Sequence, residues 1–184
     1  MMKIRDAVEK DLPAIVDIYN AAIPGRMACG YTEPVSVESR QLWYQQHPAN
    51  SRPIWVMEME EKNPRPAKFS DSDVAGDSRQ KIVGWLSFQF FYGTPAYHAT
   101  AEVSIYINPN YQRMGIGQKL LDKAIGESSK FGIRTLIGFI FAHNLPSLRL
   151  FEKSGFQRWG YLPQVAEIEN IERDLIIVGL RVDK

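Results

Sequence analysis

The stretch Asn108-Pro109-Asn110-Tyr111-Gln112-Arg113-Met114-Gly115-Ile116-Gly117 separates two segments of different periodicity. Before it, Val103-Ser104-Ile105-Tyr106-Ile107 alternates with a period of two. After it, Leu120, Leu121, Ala124, Ile125 and Ser128 recur at helical spacing. This order reads as strand, glycine-bearing turn, helix. Two glycines let the backbone turn tightly and approach a ligand without a Cβ in the way. The first amides of the helix have no internal acceptors and lie at the positive end of its dipole. Such a turn is an anion site, and a pyrophosphate suits it. A dinucleotide-binding turn needs a third glycine where Leu120 stands, and the Lys-Ser/Thr ending of a P-loop is absent. What remains is Gln112-x-x-Gly115-x-Gly117, a pattern that a ligand-free structural turn would also explain.

The 184 residues suffice for one domain with a substantial core. The 22 basic and 21 acidic residues leave a formal charge of +1, which provides no electrostatic case for nucleic acid or an anionic membrane. Cys29 is the single cysteine, so an internal disulfide is excluded and a reducing, cytoplasmic setting is expected. With no base near it in sequence, Cys29 reads as a small loop residue. His47, His98 and His143 lack metal-ligand spacing, so no metal is expected. No apolar run reaches membrane-spanning length, and no apolar signal segment is evident at the N-terminus.

Lys3-Ile4-Arg5 reads as a first strand. Leu12, Ile15, Val16 and Tyr19 follow helical spacing, with Asp11 as candidate N-cap and Pro13 in the first turn. Turns occupy Pro24 to Pro34, and Ser36 precedes a short helix carrying Val37, Leu42 and Trp43. Ile54–Met59 and Ile82–Phe90 are natural antiparallel partners. Between them, 62–81 holds Pro64, Pro66, Gly76 and several Asp and Ser, and reads as a mobile loop inserted in a single domain over 1–184. Thr100–Ile107 and Thr135–Phe141 are further strands, with Gly132 ending the helix between them. Asn144–Lys153 is a short helix with Asn144 as N-cap and Gly155 as C′ residue. Phe156–Tyr161 and Leu175–Val182 close the chain as strands. The order predicts an α/β fold, in the mixed α+β sense, with helices on both faces of a mixed sheet.

Five separated segments follow one family pattern in order. They are Ile4-Arg5-x-Ala7, Asp11-Leu12-Pro13-Ala14-Ile15-x-x-Ile18-Tyr19-Asn20, Glu33-Pro34-Val35-Ser36, Pro95-Ala96-Tyr97-x-x-Thr100-x-Glu102-x-Ser104-Ile105-Tyr106-Ile107, and Asn144-x-x-Ser147-Leu148-x-Leu150-Phe151-Glu152-Lys153-x-Gly155-Phe156. With the glycine turn they resemble the GNAT superfamily of N-acetyltransferases, in its phosphinothricin and amino-acid branch. The resemblance implies a mostly antiparallel central sheet, splayed at the CoA site between the Glu102 strand and Thr135–Phe141. It implies acetyl-CoA as donor and the primary amine of a small molecule, an amino acid or its analogue, as acceptor. The pantetheine arm would lie along the backbone of Ser104, Ile105 and Ile107 like an added strand. The amides of Gln112, Arg113, Met114, Gly115, Ile116 and Gly117 would hold the pyrophosphate. Asn144, Ser147 and Phe151 would form the second CoA contact. The resemblance also allows a homodimer.

An ammonium group must lose a proton before it attacks a thioester. Glu102 is the expected general base, on the strand face it shares with Ser104 and Tyr106, where desolvation would raise its pKa. His98 is a second candidate proton acceptor, although a loop histidine is more often structural or solvated. A backbone amide near Tyr106 could hold the oxyanion. Many members of the family carry a tyrosine proton donor where Phe151 stands, so water, Tyr106 or Tyr97 would serve here. The branch's two arginines before Pro-Ala-Tyr are replaced by Tyr92 and Thr94. Arg26 could substitute for them, with Tyr92 and Tyr97 lining the acceptor pocket. A less anionic or more hydrophobic acceptor than phosphinothricin is therefore expected. Two other readings stay open: a protein or peptide N-acetyltransferase, and a CoA-binding sensor without catalysis.

Overall fold

Apolar residues on both faces of the central strands build two cores, one on each side of a single sheet. The computed structural model describes residues 1–61 and 79–182. Their strands and helices run β1 Met2–Asp6, α1 Leu12–Ala22, α2 Val37–Gln45, β2 Ile54–Glu61, β3 Arg79–Phe90, β4 Thr100–Ile107, α3 Ile116–Glu127, β5 Thr135–Phe141, α4 Leu145–Lys153, β6 Gln157–Ile168 and β7 Ile171–Arg181. The sheet order is β1-β2-β3-β4-β5-β7-β6. Neighbours are antiparallel except β4 and β5, which run parallel and are joined through α3, as a parallel crossover requires.

The larger core gathers Trp55 and Met57 of β2, Phe88 of β3 and Val103 of β4 under Leu120 and Leu121 of α3 and Leu148 and Phe151 of α4. The smaller core packs Ile15 and Ile18 of α1 on Ile54, Val56 and Trp85, with Trp43 of α2 and Tyr106 at its rim. Along β2 the alternation is strict. Along β3 it slips, because Ile82 opposes Glu58 and Gly84 opposes Met57, leaving Val83 as the bulged residue. The bulge turns Val83 into the larger core and Trp85 into the smaller one.

Three expectations change. Residues 79–81 belong to β3 rather than to the inserted loop, and 62–78 lie outside the described residues. The last hairpin is longer on both strands than Phe156–Tyr161 and Leu175–Val182. Most of β6 is exposed, so its sequence carries little apolar pattern, and Leu162 to Ala166 break the register. Its turn uses Glu169 and Asn170 at φ 54° and 61°, two consecutive left-handed residues without the usual glycine. Asp11 makes no side-chain cap to α1. Its carboxylate instead accepts from the Arg5 guanidinium at 2.5 and 3.0 Å and from the Val8 amide at 2.8 Å. This tethers the entry of α1 to β1.

Candidate active site

β4 and β5 pair only over Thr100–Thr135, Ala101–Leu136 and Glu102–Ile137. β3 holds β4 as far as Ile107, and β7 holds β5 as far as Phe141. The two strands therefore part immediately after Glu102, each kept straight by its outer neighbour. A gap of this kind exposes the backbone of Val103 to Ile107 to an extended guest.

Glu102 sits at the fork. It opposes Gln89 across β3 and lines a cleft of about 190 Å³ with Ser104 and Tyr106 from its own strand, Tyr19 from α1, and Arg40 and Trp43 from α2. The shared face of Glu102, Ser104 and Tyr106 follows the expected alternation. The Glu102 carboxylate makes no hydrogen bond or ion pair with another described residue, and burial alone pushes its pKa above the ordinary carboxylate range. A half-buried carboxyl with no compensating partner is poised to accept a proton at a less acidic pH.

The other acceptor-side residues are more constrained than the sequence suggests. The Tyr106 ring stacks on Trp85 at 4.7 Å and tilts against Tyr19 at 4.9 Å, and its hydroxyl donates to the Ala28 carbonyl at 2.9 Å. Burial raises its pKa far above the usual phenol value, so it stays protonated with its proton directed at Ala28. Arg26, at φ 50°, donates to the Glu169 carboxylate at 2.6 and 3.1 Å and to the carbonyls of Ile23 and Thr32. Its guanidinium is thus tied to the β6–β7 turn. Tyr92 and Tyr97 join Phe91 in an aromatic cluster, with Phe139 of β5 stacked on Phe91 at 6.5 Å. Tyr92 is 76% exposed. The His98 ring nitrogen Nδ1 lies 2.9 Å from the Pro95 carbonyl, within its own turn.

Around the fork, residues 26–28 bridge the parted strands. Besides the Tyr106 bond, the Asn144 amide donates to the Met27 carbonyl at 2.9 Å, and His143 Nε2 lies 2.8 Å from the Arg26 carbonyl. Asn144 Oδ1 also accepts from the Ser147 amide at 3.2 Å, capping α4. Phe151 is 3% exposed and packs on Phe156; a Cβ on Gly138 would come within 3.0 Å of its ring.

The glycine turn divides its labour. Gly115 caps α3 at φ 76° with open space around it, so its need is conformational. At Gly117 a Cβ would meet Leu150 at 3.0 Å, so that glycine lets α3 close on α4. Gln112, Arg113, Met114 and Gly115 are exposed, and Arg113 takes φ 62°. Among the described residues no cluster of three His, Cys, Asp or Glu could hold a metal, and no helix is long and apolar enough to cross a membrane.

Sequence reading missed Arg40, Trp43 and Gln89 as cleft residues. Arg40 stands three residues before Trp43, which enters the smaller core. That spacing puts a cation on the inward face of α2 and was the available signal.

The parallel pair β4 and β5 thus parts beside a half-buried carboxylate, and a helix capped by glycine follows β4. The chain belongs to the Acetyltransferase (GNAT) family, which matches residues 28–156. It is an N-acetyltransferase of that family. It is 43% identical over 178 residues to YwnH of Bacillus subtilis, provisionally assigned as a phosphinothricin acetyltransferase, covering 97% of this chain and 98% of that one. It is 30% identical over 183 residues to an L-methionine sulfoximine/L-methionine sulfone acetyltransferase of Salmonella typhimurium, covering 100% and 96%. An acetyltransferase from Salmonella typhimurium, solved with acetyl-CoA, superposes with a TM-score of 0.82 at 27% identity, covering 100% of this chain and 95% of that one.

Proposed function

We propose that the protein transfers the acetyl group of acetyl-CoA to the primary amine of a free amino acid or amino-acid analogue, with Glu102 as general base. The observation that carries this reading is the unpartnered Glu102 carboxylate at the point where β4 and β5 part. The substrates named for the relatives, phosphinothricin and methionine sulfoximine or sulfone, support the acceptor class. The solved acetyl-CoA complex supports the donor.

In this reading the pantetheine arm lies along Ser104, Ile105 and Ile107, and the pyrophosphate meets the amides from Gln112 to Gly117. Asn144 and Ser147 flank the arm at the start of α4, and Phe151 packs beneath it. Glu102 takes a proton from the acceptor ammonium, directly or through one water. The amine lone pair attacks the acetyl carbonyl, and a backbone amide near Tyr106 holds the oxyanion. The intermediate collapses with cleavage of the carbon–sulfur bond. Phe151 has no proton to give and the Tyr106 proton is engaged by Ala28, so the second proton lost by the acceptor nitrogen passes through water to the departing thiolate. A CoA thiol with a pKa of about 8.5, as for free Cys, is a leaving group that needs no strong acid. Tyr92 and Tyr97, clustered with Phe91, contact the acceptor's side chain in this reading, and Arg26 acts on the acceptor through the position of its loop.

The test is thiol release from acetyl-CoA against free amino acids, methionine sulfone, phosphinothricin and short peptides. Turnover with one or more free amino acids or analogues is the expected result. Turnover confined to peptides would instead establish a peptide acetyltransferase. CoA binding without turnover on any acceptor would establish a sensor.

A further inference from the structure

We infer that Arg40 of α2 binds the α-carboxylate of the acceptor. The inference rests on the proposed amino-acid acetyltransferase reading and assigns its specificity-determining residue. Arg40 lines the same cleft as Glu102. Its guanidinium carbon lies 4.7 Å from the centre of the Tyr19 ring and 4.9 Å from that of Tyr31. Two ring faces flank the guanidinium and hold its plane. Nη2 is buried and has no hydrogen-bond partner, and no described carboxylate forms an ion pair with the residue. A buried charged donor without an acceptor is costly. An anionic guest in the cleft would supply the counter-charge that no described carboxylate gives the guanidinium.

The chemistry of the guest follows from that shared cleft. A free amino acid carries its carboxylate one carbon away from its amine. A cation and a base facing one small cleft therefore match its two ends and orient the amine toward Glu102. The other arginine close by, Arg26, has its guanidinium tied to Glu169 and two carbonyls. Arg40 thus takes the carboxylate-gripping role that Tyr92 and Thr94 cannot fill.

The experiment compares methionine sulfone with its uncharged carboxamide as acceptors for the wild-type protein and for Arg40→Met and Arg40→Lys, with thermal melting as a check on folding. The expected result is a wild-type preference for the acid of at least about 30-fold in kcat/KM. Arg40→Met collapses that ratio to within about threefold, mainly through KM for the acid, and Arg40→Lys retains part of it. The KM for acetyl-CoA changes less than twofold. The proposal is overturned if the wild type shows no preference for the acid, or if Arg40→Met loses both acceptors in equal proportion. If Arg40→Met does not fold, the wild-type ratio and its change in Arg40→Lys decide the matter. If the wild type acetylates neither, the comparison is made with the free amino acid it does acetylate and that acid's carboxamide; failure on every free amino acid removes the amino-acid reading itself and this inference with it. Wild-type turnover with an unchanged ratio in the variants removes this inference alone.

Discussion

Glu102 combines two properties that usually exclude each other, burial and the lack of a partner. Its carboxyl pKa is raised by desolvation, so the native state holds its proton more tightly than the unfolded chain does. Stability from this group therefore falls as pH rises through the ordinary carboxylate range to the raised folded value, and the penalty is complete above it. Glu102→Gln removes the penalty. It is expected to raise Tm by a few degrees near neutral pH, with the gain gone below about pH 4, while kcat falls about 10²- to 10⁴-fold. Melting curves across pH and single-turnover rates check the two halves; a loss of stability near neutral pH would contradict the assignment. Tyr106 makes the opposite case. Its hydroxyl is committed to Ala28, so Tyr106→Phe should cost about 1 kcal/mol in stability and less than tenfold in kcat. A loss of 10²-fold or more in kcat would make it the proton donor instead.

At the scale of elements, the N-termini of α3 and α4, proposed above as the CoA contacts, are each set by one residue that the sequence announces. Gly115 occupies φ 76°, a conformation that costs an L-residue about 1–2 kcal/mol. Gly115→Ala should lower stability by that amount and raise the KM for acetyl-CoA, because the first-turn amides shift with the cap. Gly117→Val acts differently, driving its side chain against Leu150 and separating α3 from α4. Asn144 caps α4 and also fastens the Met27 carbonyl. Asn144→Ala is expected to cost roughly 1 kcal/mol and to speed hydrogen exchange in residues 26–28, which a cap alone would leave unchanged. Unaltered exchange there would show that the Met27 bond is not what orders the segment.

Across the whole molecule, one sheet serves both cores, so damage on either face is transmitted through shared strands. Leu121→Ala in the larger core and Trp85→Ala in the smaller one should each cost about 2–5 kcal/mol and melt in a single transition, by far-ultraviolet circular dichroism and by tryptophan fluorescence alike. Two separated transitions would mean that the cores fold apart. The Arg26–Glu169 pair joins positions 143 residues apart, but Glu169 is largely exposed. Its removal by Glu169→Ala should cost under about 1 kcal/mol and fade in high salt.

Much of this was legible in the chain itself. Strong local periodicity marked α1, α3, β4 and β5, because burial on one side of a helix or on both sides of a strand leaves a pattern in neighbouring residues. The glycine turn and the Asn144 cap were readable for the same reason: each is a local backbone requirement met by a local residue type. The Glu102 face followed from the two-residue period of β4. The extent of β6 was not readable, since an exposed edge strand buries too little to impose a pattern. The bulge at Val83 was also silent, being a matter of register between two strands. The partners of Tyr106, Arg26 and Arg40 were hidden most completely. A hydrogen bond from β4 to Ala28, an ion pair from residue 26 to residue 169, and a guanidinium held between Tyr19 and Tyr31 join segments far apart in sequence. Only tertiary packing brings them together, and the packing of α1 and α2 on the sheet decides which cation shares a cleft with Glu102.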